Sequence, residues 1–157
     1  MIFSKSVQIN APVEQVFAFC ASADGFERHF PQPVRGLDKG EPWKQGSVFR
    51  FKYRFLFIWW YWQGEITHYE NNSYFIDVLK AGGGLKSFEH KHEYKPCEQG
   101  TLCTDHIEFT FGLGSWFDRL IVKRMIGYIF AQRHKLLVQC FSSPNHSDNS
   151  STYSPSK

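Results

Sequence analysis

FRFKYRFLFIWWYWQGEIT, residues 49–67, is the stretch whose pattern decides the architecture. Phe49, Phe51, Tyr53 and Phe55 alternate with Arg50, Lys52 and Arg54, the period of two expected of a strand with one wet face and one buried face. Trp60, Trp62, Gly64 and Ile66 then alternate with Tyr61, Gln63, Glu65 and Thr67, so the two runs read as a hairpin. Pairing them sets Glu65 opposite Arg50 or Lys52, an attractive cross-strand contact. Nine of the fourteen residues from Phe49 to Trp62 are aromatic, enough ring surface to line a cavity or to fill a core. Parity tells inward from outward but not hollow from filled. The tip, Leu56-Phe57-Ile58-Trp59, has no Gly, Pro or polar turn residue. An exposed apolar tip of this kind suits a membrane surface, a homodimer contact or a pocket lid, because large apolar patches rarely stay solvated.

Toward the N-terminus, residues 2–9 form a first strand that stops at Asn10-Ala11-Pro12, with Pro in the first turn of a helix. Val13, Val16, Phe17 and Cys20 give that helix one apolar stripe, ended by Ser22–Gly25. A second short helical turn around Phe26–Phe30 is closed by Pro31 and Pro33, and a turn-rich connection with a short edge strand leads back to the hairpin. Toward the C-terminus, runs at 74–80, 86–95 and 101–111 are separated by Asn71-Asn72, Gly82-Gly83-Gly84 and Glu98-Gln99-Gly100, which makes an antiparallel meander. Ser115-x-x-Asp118 resembles a capping box and opens a long helix to about Phe141. Residues 142–157 are Ser/Asn/Pro-rich and cannot offset their ordering entropy by burial, so they read as a disordered tail to a domain at 1–141. The class is α+β, with six or seven strands in a curved antiparallel sheet around one long C-terminal helix, and two short helices after the first strand.

Length agrees with one domain: 157 residues leave no room for a second. With 18 Lys+Arg against 15 Asp+Glu spread along the chain, there is no basic stripe for a nucleic-acid backbone. The strongest apolar stretch, Phe55 to Trp62, is far shorter than the roughly twenty residues of a spanning helix, and the first residues carry no secretory pattern. Cys20, Cys97, Cys103 and Cys140 form no CxxC pair and read as free thiols of a cytoplasmic protein.

Three constellations could carry chemistry. The rings of Phe49, Phe51, Tyr53, Phe55, Trp60 and Trp62 share one face and form a candidate ligand wall. If Glu98-Gln99 is a two-residue hairpin loop, His92 lies opposite Asp105 and His90 opposite Ile107, on the same inward face as Phe88, Tyr94 and Phe109. A carboxylate beside an imidazole there serves either as an acid/base pair or as a polar clasp that holds register. An H-x-H pair with one nearby carboxylate falls short of a metal site, so no metal or cofactor is expected. In the last helix Val122, Met125, Ile126, Ile129, Phe130, Leu136, Leu137 and Cys140 fall on one side, with Arg133 near its centre. A buried guanidinium needs a partner, Asp105 being the first choice, or else the acidic group of a ligand. No G-x-S-x-G, H-E-x-x-H, Rossmann or P-loop pattern is present.

Taken in order, Ile9-Asn10-Ala11-Pro12-Val13-Glu14-Gln15-Val16-Phe17-Ala18-Phe19, Trp62-Gln63-Gly64-Glu65-Ile66-Thr67, Phe88-Glu89-His90-Lys91-His92, Gly100-Thr101 with Asp105, and Arg133 resemble the START-related (SRPBCC) superfamily, nearest its polyketide cyclase/dehydrase-like and bacterial ligand-binding branch. That resemblance implies a helix-grip fold with a deep apolar cavity between sheet and helix. Function then has three readings. The first is a binding protein for a small hydrophobic or aromatic molecule (lipid, polyketide or isoprenoid-like), held by the ring wall with Phe88, His90, Tyr94, Ile107, Phe109, Ile126 and Phe130. The second is a cyclase/dehydratase-type enzyme with His92 and Asp105 as acid/base and Arg133 as anion stabiliser. The third is a membrane- or protein-contact module that uses Leu56, Phe57, Ile58 and Trp59.

Overall fold

The computed structural model describes residues 1–110 and 123–142. Ser115, Asp118, Val122 and the tail from 143 onward lie outside the described residues. Seven strands form one antiparallel sheet: β1 (Ile2–Ile9), β2 (Val34–Arg35), β3 (Val48–Phe55), β4 (Ile58–Glu70), β5 (Tyr74–Gly82), β6 (Ser87–Cys97) and β7 (Gly100–Thr110), in the order β1-β7-β6-β5-β4-β3-β2. Helices α1 (Val13–Cys20) and α2 (Ala23–His29) follow β1, and α3 (Lys123–Ser142) crosses the concave face. This is the helix-grip architecture expected above.

Each element has a local cause. Ser22 caps α2 by accepting from the Gly25 N–H at 3.1 Å, which starts that helix three residues earlier than its apolar pattern suggests. Val16, Phe17 and Cys20 bury the inner stripe of α1. Phe17 meets Tyr69, Phe75 and Tyr94 edge-on at 5.3–6.0 Å, tying α1 to three strands through contacts of about 0.5–1.5 kcal/mol each beyond area burial. Gly64 has a packing role: a Cβ there would collide with the Phe49 ring, which lies across its backbone.

The β3–β4 hairpin corrects one expectation. Its turn has only two central residues, with Phe55 paired to Ile58, so Glu65 faces Val48 while Arg50 faces Gln63 and Lys52 faces Tyr61. A four-residue tip would have set Glu65 opposite Arg50; the tighter turn slides the register by two, and Glu65 instead meets Lys80 of β5 at 3.0 Å. A slip of two keeps every side chain on its own face, so the inward set is unchanged. The turn takes Leu56 and Phe57 to positive φ, 49° and 66°, the geometry that two-residue hairpins require and that Gly or Asn normally supplies. Leu56 is 71% exposed and Phe57 97%, so burial does not offset that backbone cost. Among the described residues, no helix is long and apolar enough to cross a membrane.

Candidate functional site

The concave face of the sheet, α2 and α3 enclose a cavity of about 320 Å³. Its wall contains Phe49, Phe51, Tyr53, Phe55, Trp60, Trp62 and Phe88, with Ile126 and Phe130 contributed by α3. The backbone at Gly83 and Gly84 lies flat against the Trp62 and Trp60 rings, where an added Cβ would stand 2.7 and 2.9 Å from ring carbons. Leu56 lines the cavity and is also exposed, so the hairpin tip stands at the mouth. Three residues expected on the wall are not on it. Tyr94 packs with Phe17 and Phe75, and Ile107 and Phe109 form a separate apolar cluster under Ile126 and Phe130. Inward parity is shared by wall and core, and the position of α3 decides which is which.

The cavity floor is polar. Asp77 on β5, His90 and His92 on β6, and Arg133 on α3 line it, and all four are buried. Register sets Asp77 opposite His90, and His92 opposite Asp105 as expected. The hydrogen bonds run diagonally instead: His92 Nε2 meets Asp77 Oδ1 at 2.9 Å and His90 Nε2 meets Asp105 Oδ1 at 2.8 Å. The two imidazole centroids stand 3.6 Å apart, with Phe75 stacked on His92 at 4.2 Å. Asp105 lies behind the rings rather than on the wall, beside Tyr94, Cys103 and Leu137. Its second oxygen accepts from His134 Nε2 at 2.6 Å.

Arg133 is buried at the centre of the helix face, as its spacing predicts, but its hydrogen bond goes to His92 Nδ1 at 3.2 Å rather than to Asp105. A guanidinium only donates, so the neutral His92 ring accepts at Nδ1 and carries its proton on Nε2, toward Asp77. Arg133 still acts on Asp105 through space. Burial alone would raise the Asp105 carboxyl, but Arg133, His90 and the His134 and His90 hydrogen bonds outweigh it and hold the group well below the usual carboxylate range. Burial, reinforced by His92, pushes His90 down to about 4, so that ring is neutral at pH 7. The floor can therefore place an imidazole and a guanidinium beside an acidic or carbonyl oxygen of a molecule in the cavity.

Two members were missed from the sequence, Asp77 and His134. Both had a signal: Asp77 shares the inward parity of Phe75, and His134 sits four residues after Phe130 and three before Leu137 on the buried stripe.

Solved structures with this fold share little sequence with the chain. A START superfamily protein from Mycobacterium smegmatis superposes with a TM-score of 0.72 at 16% identity, covering 90% of this chain and 97% of its own. Ginseng major latex-like protein 151 from Panax ginseng gives 0.68 at 15%, covering 90% and 97%. The di-domain ARO/CYC StfQ of the steffimycin biosynthetic pathway gives 0.73 at 12%, covering 90% of this chain and 50% of its own. At these identities the likeness is one of fold. No curated protein matches the chain. The model of the family described as polyketide cyclase / dehydrase and lipid transport matches residues 1–139, and with the seven-stranded helix-grip architecture around that span, the chain belongs to this family.

Proposed function

We propose that the protein encloses one small hydrophobic or aromatic molecule, lipid-, polyketide- or isoprenoid-like, in the cavity between sheet and α3. The observation that carries this reading is an aromatic-walled space of about 320 Å³ ending on a compact polar floor. Walls of that kind supply affinity, and a few convergent polar groups supply orientation. The four cysteines are all free, which supports a reducing, cytoplasmic setting. Native mass spectrometry of protein purified from its own host is expected to show a bound small molecule. Ile129→Trp, which fills the cavity from α3, should abolish that adduct and weaken a pyrene-labelled fatty acid at least about tenfold, with little loss of stability because the added volume enters a void. Absence of any adduct together with unchanged probe binding by the variant overturns the reading.

A second reading, a cyclase/dehydratase-type enzyme, is favoured by His92 and Arg133 facing the same space with Asp105 behind them. His92→Ala separates the two once the bound molecule is identified: an enzyme converts that molecule and the folded variant does not, whereas a carrier returns it unchanged with or without His92.

Loading through the tip follows from its chemistry. Leu56, Phe57 and Ile58 are exposed at the mouth, and Arg50, Lys52 and Arg54 line the outer face of β3, with Arg35 over the Trp59 ring at 4.3 Å. Apolar side chains flanked by cations fit an anionic lipid surface, where each Lys or Arg contributes about 1 kcal/mol. Wild type is expected to co-sediment with phosphatidylserine vesicles in a salt-sensitive way, and Phe57→Ser to reduce this at least about fivefold. Equal sedimentation of both proteins rejects the tip as the contact.

A further inference from the structure

We propose that Asp77, His90 and His92 hold one divalent first-row transition ion of the Zn²⁺ or Fe²⁺ type, bound through Asp77 Oδ1, His90 Nδ1 and His92 Nε2, with its remaining coordination positions open to the apolar cavity. The sequence offered two of these ligands, with Asp105 as the nearby carboxylate in place of Asp77. The third ligand arrives from the neighbouring strand.

Geometry comes first. The three donor atoms lie within 4.8 Å of one another, with Asp77 Oδ1 at 2.9 Å from His92 Nε2 and 3.7 Å from His90 Nδ1. Two ligands each about 2.1 Å from one ion stand roughly 3–3.4 Å apart, so both Asp77 contacts lie within a few tenths of an ångström of that spacing, and the two imidazoles adjust to it by ring rotation. All three residues sit on paired strands, Asp77 directly across from His90, which fixes them on a rigid surface.

The surroundings point the same way. A ligating histidine ordinarily gives its other N–H to a carboxylate, which orients the ring and raises its basicity. Here one oxygen, Asp105 Oδ1, lies 2.8 Å from His90 Nε2 and 3.2 Å from His92 Nδ1, so the inner nitrogens of both rings face the same acceptor. Asp105 is itself fixed from α3 by His134. One contact must change: an ion on His92 Nε2 moves the ring proton to Nδ1, which then donates to Asp105, and Arg133 gives up its hydrogen bond to that nitrogen. The guanidinium keeps its electrostatic attraction to Asp105.

Charge and ligand type narrow the ion. Two carboxylates against one guanidinium leave the floor one negative charge in excess when the imidazoles are neutral. A divalent ion reverses this to one positive charge, which an acidic or enolic oxygen of a molecule in the cavity neutralises. The loaded site thus selects ligands with an anionic oxygen at one end of an apolar body. Two imidazoles and one carboxylate suit zinc or ferrous iron, whereas calcium and magnesium need more oxygens than this floor supplies.

The test uses Co²⁺, whose visible absorption reports coordination. Metal-stripped wild-type protein titrated with Co²⁺ is expected to bind one equivalent with new visible bands. Asp77→Ala should weaken binding at least about 100-fold, Asp105→Asn by about 10–100-fold, and His68→Ala, at an exposed histidine elsewhere, should change nothing. Circular dichroism without metal checks that each variant is folded. The wild-type titration decides the matter even if a variant is not. No saturable wild-type binding, or binding that survives Asp77→Ala in a folded protein, overturns the proposal. Because the readout is the ion itself, the outcome stands apart from whether the cavity takes an apolar ligand.

Discussion

Replacing Asp105 by Asn is expected to cost about 3–5 kcal/mol of folding stability, the range for deleting one partner of a buried charge cluster. Asp105 accepts from His90 and His134 and carries a negative charge that interacts with Arg133 through space. Its amide replacement keeps the shape but removes the charge, leaving a buried guanidinium undercompensated, and turns one acceptor oxygen into a donor nitrogen among imidazole N–H groups. Urea unfolding measures the loss as a lowered midpoint at unchanged slope. Arg133→Met in the Asp105→Asn background should recover part of the loss, because the cation that lost its partner is gone as well. A single variant within about 1 kcal/mol of wild type would sink this electrostatic account.

The second large effect is acid sensitivity of the metal-free protein. His29 is fully buried, its Nδ1 donates to the Gly25 carbonyl and its Nε2 has no partner, so protonation there has nothing to stabilise it. Burial, with Arg133 adding repulsion, holds its pKa well below the ordinary value, and His90 is pushed down to about 4. Both folded values lie under the unfolded one, near 6.5. Above pH 6.5 neither state binds these protons and stability is intact. Below it the unfolded chain takes them up first, at about 1.4 kcal/mol per pH unit for each histidine. The two together should remove about 3 kcal/mol between pH 6.5 and 5, a large share of a typical domain's stability. Asp105 contributes to a different window, losing its stabilisation only as pH falls beneath the ordinary carboxylate range. Urea midpoints at pH 7, 6 and 5 test this, and His29→Gln should roughly halve the slope. Equal midpoints across that range would show that neither ring is held neutral.

The expected capping box at Ser115 and the expected tail beyond Ser142 fall outside the described residues, but the rest of the chain separates cleanly into what is local and what is not. Alternation in residues 49–67, the Asn-Ala-Pro helix start, the Glu98-Gln99 loop and the stripe through Phe130 and Leu137 are each readable within a few residues, because pleat, helix pitch and turn chemistry act over that range. They determined the strands, the antiparallel meander, the pairing of His92 with Asp105 and the inward position of Arg133. Tertiary structure alone decided the remainder. Asp77 reaches His92 diagonally because the β5–β6 register is set across the whole sheet, and β4 bulges against β5 at Gln63/Gly64 and Ile66/His68 on the way. The partner of Arg133 and the entry of His134 depend on how α3 is rotated over that sheet. Tyr94, Ile107 and Phe109 are core rather than wall for the same reason. Residue pattern can say which side chains point inward, but the space between two packed surfaces belongs to both, and only their mutual placement fixes what lines it.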